Sequence, residues 1–167
     1  MKKALLAALA LTLLFTAGCG SVKQTYVPVS SKEAVNIGII GNNPALANIS
    51  VDMLVDFIGG MGKKSDFNEI TDNEVLERLK DGTIDIAISF ECMDKSKNKN
   101  LSMCKISKTD NDSLCIIVRR EDTELKSNFE TFLSNYETND ELEKLAKQYM
   151  SNSDDFKNSL LKPFKFD

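Results

Sequence analysis

Histidine is missing from all 167 residues, and that absence removes more chemistry than any other feature of the chain. No Ser-His-Asp or Cys-His arrangement can be assembled, and zinc sites that need an imidazole are excluded. Cysteine is sparse, at positions 19, 92, 104 and 115, with none of the C-x-x-C spacing of redox and metal motifs. Positive charge is in deficit, 21 basic residues against 25 acidic ones, a net −4. That balance argues against nucleic acid as a partner. The most apolar run, 4–17, is shorter than the ~20 residues that span a bilayer as a helix. The sequence therefore predicts no enzyme, no cofactor and no metal site. A carboxylate pair at Asp52 and Asp56 fits by spacing but reads more simply as a solvated helix face.

What the chain does have, first of all, is a leader. Met1-Lys2-Lys3 is positive, 4–17 is apolar, and Thr16-Ala17-Gly18-Cys19 closes the run with small residues before a thiol. The pattern resembles the lipobox of bacterial lipoproteins, in which the thiol is diacylated and the leader is cut before it. Thr16 stands where leucine is usual. The resemblance implies a signal peptide over 1–18, lipid on Cys19, and a lipidated tether over 19–33 that includes the polar stretch "GSVKQTYVPVSSK". Losing Lys2 and Lys3 leaves 21 − 2 = 19 basic residues against 25 acidic, a net −6. The expected location is the bacterial cell envelope, facing the periplasm or the exterior. Gly20 rather than Asp after the cysteine implies the outer membrane if the host is Gram-negative.

The remainder, 34–167, has the length of one domain, and 42% apolar residues in the chain supply a core. Residues 35–40 form an apolar β-rich run that breaks at Gly41-Asn42-Asn43-Pro44. Ile49, Met53, Leu54, Phe57, Ile58 and Met61 then recur at helical spacing, with glycines where the pattern stops. "SDFNEI" is a second strand. Thr71-Asp72-Asn73-Glu74 has capping-box spacing and opens a helix that Asp81-Gly82 ends. In the third strand Ile84, Ile86 and Ile88 alternate with Asp85, Ala87 and Ser89. A short strand at 101–106, the strand "SLCIIVRR" and two amphipathic helices follow, their Phe129, Phe132, Tyr136 and Tyr149 read as core. The tail "FKNSLLKPFKFD" has no clear period. The order β-α-β-α-β predicts an α/β fold, a three-layer α/β/α sandwich around a mostly parallel sheet of about five strands, with ligands beyond the carboxyl ends of the strands.

These segments resemble one lobe of the type II periplasmic solute-binding proteins, in particular the amino-acid-binding, family 3-like branch. "NIGIIGNNP" resembles the family's first strand and proline-bearing ligand loop. "ISVDMLVDFIGGMG" resembles its first helix, with Asp52 in a V-D-L-like motif, and "VLERLKDGTIDIAIS" its L-x-x-G-x-I-D signature. "LCIIVRREDTELKSNFETFLSNYETNDELEKLAKQYM" is similar to its closing hinge strand and helices. Together they cover about 35–150. The second lobe that family members insert between two hinge strands has no counterpart here, since about two dozen residues join Ser89 to the closing segment.

The resemblance implies a lipid-anchored relative of the substrate-binding proteins of ABC transporters that binds a small polar, amino-acid-like solute weakly or assists a transport system. The alternative is a non-enzymatic envelope lipoprotein that uses the single-lobe scaffold for protein contact. Expected partners are accordingly the membrane, a small solute, and an ABC permease or envelope protein. Candidate ligand residues at the strand ends are Asn42, Asn43, Ser89, Phe90 and Lys97. Lys97 falls near the family's carboxylate-binding arginine but lacks the guanidinium fork. Each has a plainer role as turn former, cap or member of a solvated basic loop. With Cys19 lipidated three cysteines remain, and Cys115, inside an apolar strand, reads as a buried thiol. Cys92 with Cys104 is then the expected disulfide.

Overall fold

The computed structural model describes residues 27–41, 43–91 and 99–167. Five strands form one sheet: β1 (Ala34–Ile40), β2 (Lys64–Glu69), β3 (Ile86–Ser89), β4 (Leu101–Lys108) and β5 (Ser113–Arg119), in the order β2-β1-β3-β5-β4. β2, β1 and β3 run parallel, and β5 pairs antiparallel with both β3 and β4. Helices α1 (Pro44–Gly60), α2 (Asp72–Asp81), α3 (Thr123–Thr138), α4 (Glu141–Tyr149) and α5 (Ser153–Ser159) complete the elements, with a 3-10 turn at Val29–Ser31. The expected α/β sandwich with a mostly parallel sheet is the fold observed.

Strand alternation sorts the core into two layers. Val35, Ile37, Ile86, Ile88, Ile116 and Val118 pack with Met53, Leu54 and Phe57 of α1, Phe129 and Leu133 of α3, and Leu142 of α4. On the other face Ile40, Ile70, Ala87 and Ile117 meet Val75 and Leu79 of α2. Full burial of a side chain such as Leu79 contributes roughly 1.5–3 kcal/mol, and this is what holds a ten-residue helix that is otherwise highly polar. The crossing from α1 on one face to α2 on the other creates a switch point between β1 and β3 at their carboxyl ends.

Three local readings change in the structure. β3 begins at Ile86 rather than Ile84, and Ile84 joins the α2 layer instead of the layer of Ile86 and Ile88. The reason is that Asp85 is drawn out of the strand pattern, its amide donating to the Asn36 carbonyl at 2.8 Å and its carboxylate held by cations. The end of the expected tether is packed on the domain: Val29 is in the core, and Lys63 Nζ donates to the Ser30 and Lys32 carbonyls at 2.9 and 2.5 Å. The tail without period forms α5 and then runs beside β4, bridging Ser107 through Leu160 and Cys104 through Phe166.

The capping box at Thr71 forms. Glu74 Oε2 accepts from the Thr71 amide and hydroxyl, both at 2.8 Å, and Oε1 accepts from Arg78 at 2.7 Å. The Thr71 amide and hydroxyl, with the Arg78 guanidinium, hold the Glu74 carboxyl down at about 2, below its ordinary 4.5. A depressed folded value makes this contribution complete above 4.5 and progressively lost as pH falls toward 2. Thermal melts at pH 6 and pH 3 should therefore show a smaller acid loss in Glu74→Gln than in the wild type. Equal losses in both would remove Glu74 from the acid response.

Candidate functional site

The carboxyl ends of β1 and β3 and the residues after β2 enclose a recess of about 260 Å³. Ile40 and Gly41 form one wall, Ile70, Thr71 and Asp72 a second, and Ser89 and Glu91 a third. Gly41 sits at φ +92, a left-handed conformation that favours glycine, and an added Cβ would lie 3.3 Å from the Phe90 ring. Ser89 is buried and bound to its own loop: its hydroxyl donates to the Glu91 carbonyl at 2.7 Å and accepts from the Glu91 amide at 3.2 Å. Asp72 and Glu91 are exposed on the rim. No lysine or arginine is among the described lining residues.

Of the residues expected to bear a ligand, Ser89 lines the recess. Asn43 is the N-cap of α1, its Oδ1 accepting from the Leu46 amide at 3.1 Å, so its side chain serves the helix. Phe90 is turned into the core beneath Gly41. Asn42 and Lys97 lie outside the described residues, as do Cys19 and Cys92. Cys104 is a buried free thiol and Cys115 is buried in β5. Thr71 and Asp72 were missed because their capping pattern explained them fully. The signal that finds them is that they directly follow β2, whose end belongs to the same rim.

Two larger clefts, of about 430 and 450 Å³, lie at the amino ends of the parallel strands, beside Pro28–Ser30 and beside Arg120. Open α/β sheets do not bear ligands at that end. What occupies it instead is a buried charge network. Asp85 Oδ1 accepts from Lys32 Nζ at 2.6 Å and Arg119 Nη2 at 3.0 Å, and Oδ2 accepts from the Asn36 amide at 3.2 Å. Arg119 also donates through Nη1 to the Leu79 carbonyl at 2.8 Å and through Nε to Asp122 at 3.0 Å. Burial pushes the Asp122 carboxyl up to about 6, with the Lys126 charge opposing it. Asp85 is thus a structural tie at the base and takes no part in the recess.

Asp52 and Asp56 are not a freely solvated pair. Tyr149 donates to Asp52 at 2.6 Å and Tyr136 to Asp56 at 2.7 Å, tying α1 to α4 and α3. Burial and the Asp56 bond raise the Tyr136 hydroxyl above its ordinary value. Among the described residues there is no cluster of three acidic or cysteine side chains able to hold a metal, and no helix long and apolar enough to cross a membrane.

β4 and β5 are joined by 109–112. That turn is closed by the Thr109 amide donating to the Asp112 carbonyl at 2.8 Å and by the Asp112 amide donating to the Thr109 hydroxyl at 3.0 Å. The Ser113 amide donates to the Phe90 carbonyl at 2.9 Å, which places the turn at the recess end of the sheet.

A mostly parallel five-stranded lobe with a recess at the carboxyl ends of its strands defines the class: one lobe of a solute-binding protein. Residues 22–152 match the bacterial extracellular solute-binding proteins, family 3, and the chain belongs to that family. Its fold is similar to the arginine-bound form of domain 1 from TmArgBP, with a TM-score of 0.55, 17% identity, and coverage of 64% of this chain and 96% of that one. It is also similar to a mutant of ArgBP from T. maritima (TM-score 0.60, 11% identity, coverage of 74% and 98%). The substrate-binding protein of an amino acid ABC transporter gives a TM-score of 0.58 at 7% identity, with coverage of 71% and 100%. No curated protein sequence matches this chain.

Proposed function

We propose that this chain is a lipid-anchored envelope protein whose single lobe presents an open, acidic half-site for a small amino-acid-like solute carrying an ammonium group, in the service of an ABC transport system. The observation that carries the reading is the recess at the switch point, with Asp72 and Glu91 on its rim and no described cation to offset them. Asn43 caps the start of α1, and Asp72 and Glu74 put negative charge in the first turn of α2, so the rim disfavours an anion. Coulomb attraction then selects the positive end of the solute. Lys97, outside the described residues, is the expected partner of a carboxylate on the same solute. Asn42 belongs to the same proposed rim.

An open half-site leaves one side of the ligand in water, so affinity should be no better than the high micromolar range, about −5 kcal/mol. Calorimetry with the mature chain over a panel of amino acids should show lysine or arginine binding more tightly than glutamate, with the preference reduced in Asp72→Asn and at high salt. A submicromolar constant for a monomer would defeat the open-site argument. No binding at all would transfer the recess and its hairpin to the second reading, a surface for an envelope protein, which the tight 109–112 turn favours by leaving that face uncovered.

The anchor is a separate proposal resting on the leader and on Cys19. Detergent-phase partitioning of the wild type should be abolished in Cys19→Ser. Recovery of the wild type in the aqueous phase, with an unmodified thiol by mass spectrometry, would sink it.

A further inference from the structure

We propose that residues 160–167 form a releasable strap that closes the β4 edge and shields the Cys104 thiol, and that the strap opens while the sheet stays folded. β4 is an outer strand, and an unpaired outer edge is a template for pairing with another chain. The strap covers it with isolated contacts and no continuous ladder: bridges at Ser107 and Cys104, the Leu161 amide on the Ile106 carbonyl at 2.9 Å, and the Asp167 carboxylate on the Met103 amide at 2.9 Å.

Two acidic side chains of α3 fasten it, Glu137 pairing with Lys162 and Glu130 with Lys165. Glu130 of α3 accepts from Lys165 Nζ at 2.6 Å and from the Phe166 amide at 2.8 Å, while the Phe166 ring stands 6.0 Å from that of Phe129. Phe164 is buried, but Leu161, Lys162, Pro163, Lys165 and Asp167 are exposed. β5, by contrast, is buried along all seven residues and paired on both sides. Segments with few buried apolar groups and exposed hydrogen bonds open at lower free energy than core strands. The strap belongs to the first kind and β5 to the second.

Cys104 reports the state of the strap. Burial pushes its thiol up to about 12, and the Glu130 and Asp167 charges add to that, with Lys165 opposing. A closed strap therefore keeps the thiol protonated and inert, and opening restores water and removes the Asp167 charge.

The test is alkylation of the mature chain by iodoacetamide, in which the cysteine thiolate displaces iodide and forms a thioether, followed by peptide mass spectrometry of each cysteine. Backbone amide exchange on β5 is measured alongside. Glu130→Ala, Lys165→Ala and a chain ending at Leu161 should each label Cys104 at least about ten-fold faster than the wild type, with Cys115 labelling and β5 protection unchanged. Unchanged labelling of Cys104 in all three would overturn the proposal. So would a joint rise at Cys104 and Cys115, or loss of β5 protection in the shortened chain, because opening would then be global.

Discussion

Asp85→Ala is expected to destabilise the domain by about 3–5 kcal/mol, the usual effect of removing one partner from a buried ion pair. The carboxylate is fully buried, and its loss leaves the Arg119 guanidinium, itself 5% exposed, without the Asp85 carboxylate it meets at 3.0 Å. Lys32 loses the carboxylate that holds the entering segment against β3, and the Asn36 amide loses its side-chain acceptor. Urea unfolding measures the effect. Arg119→Ala should cost a similar amount, and the double variant should cost much less than the sum, because the two groups act on one another. A loss below about 1 kcal/mol for Asp85→Ala, or additive losses in the cycle, would mean that the network is no tie.

Phe129→Ala is expected to cost about 3–5 kcal/mol as well, through a different physical term. Its ring is 1% exposed and sits edge-on to Phe57 of α1 at 5.1 Å, tilted against Phe132 at 6.2 Å, and close to Phe166 of the strap. Truncation opens a cavity where α1, α3 and the strap meet, and three rings lose their common neighbour. Phe129→Leu keeps most of the volume and should cost distinctly less. Thermal unfolding of both variants decides it: equal losses would show that the site collapses freely around whatever stands there.

The two predictions bear unequally on what the sequence could reveal. Phe129 was legible, because Leu125, Phe129, Leu133 and Tyr136 recur at helical spacing and helical periodicity is a local property. Asp85 was legible only as a member of a recognisable motif. Its position between isoleucines suggested a strand face, whereas its carboxylate in fact meets Arg119, thirty-four residues away, and Lys32, fifty-three residues away. Two of the stretches that resemble the family, the one holding Asp85 and the one holding Arg119, thus meet each other at the base rather than at a ligand.

The candidate site divides in the same way. Strand ends could be marked from runs that break, so Gly41 and Ser89 were found, and the short passage from Ser89 to the closing segment left no room for a second lobe between them. Whether a side chain at a strand end faces the recess or the core depends on what packs behind it. Phe90 went inward and Asn43 went to the α1 cap, while Thr71 and Asp72 came to the rim because β2 lies beside β1.

By itself, then, the sequence determined the leader pattern, the order of strands and helices, the capped start of α2 and the absence of histidine chemistry, all of which depend on composition or on neighbours a few residues apart. Tertiary structure alone decided the base network, the pairing of Asp52 and Asp56 with tyrosines, and the lodging of the tail on β4. These depend on contacts between residues far apart in the chain, which exist only after the sheet has fixed its strand order. A polar side chain brought into the interior must then find a partner there or incur the full cost of desolvation.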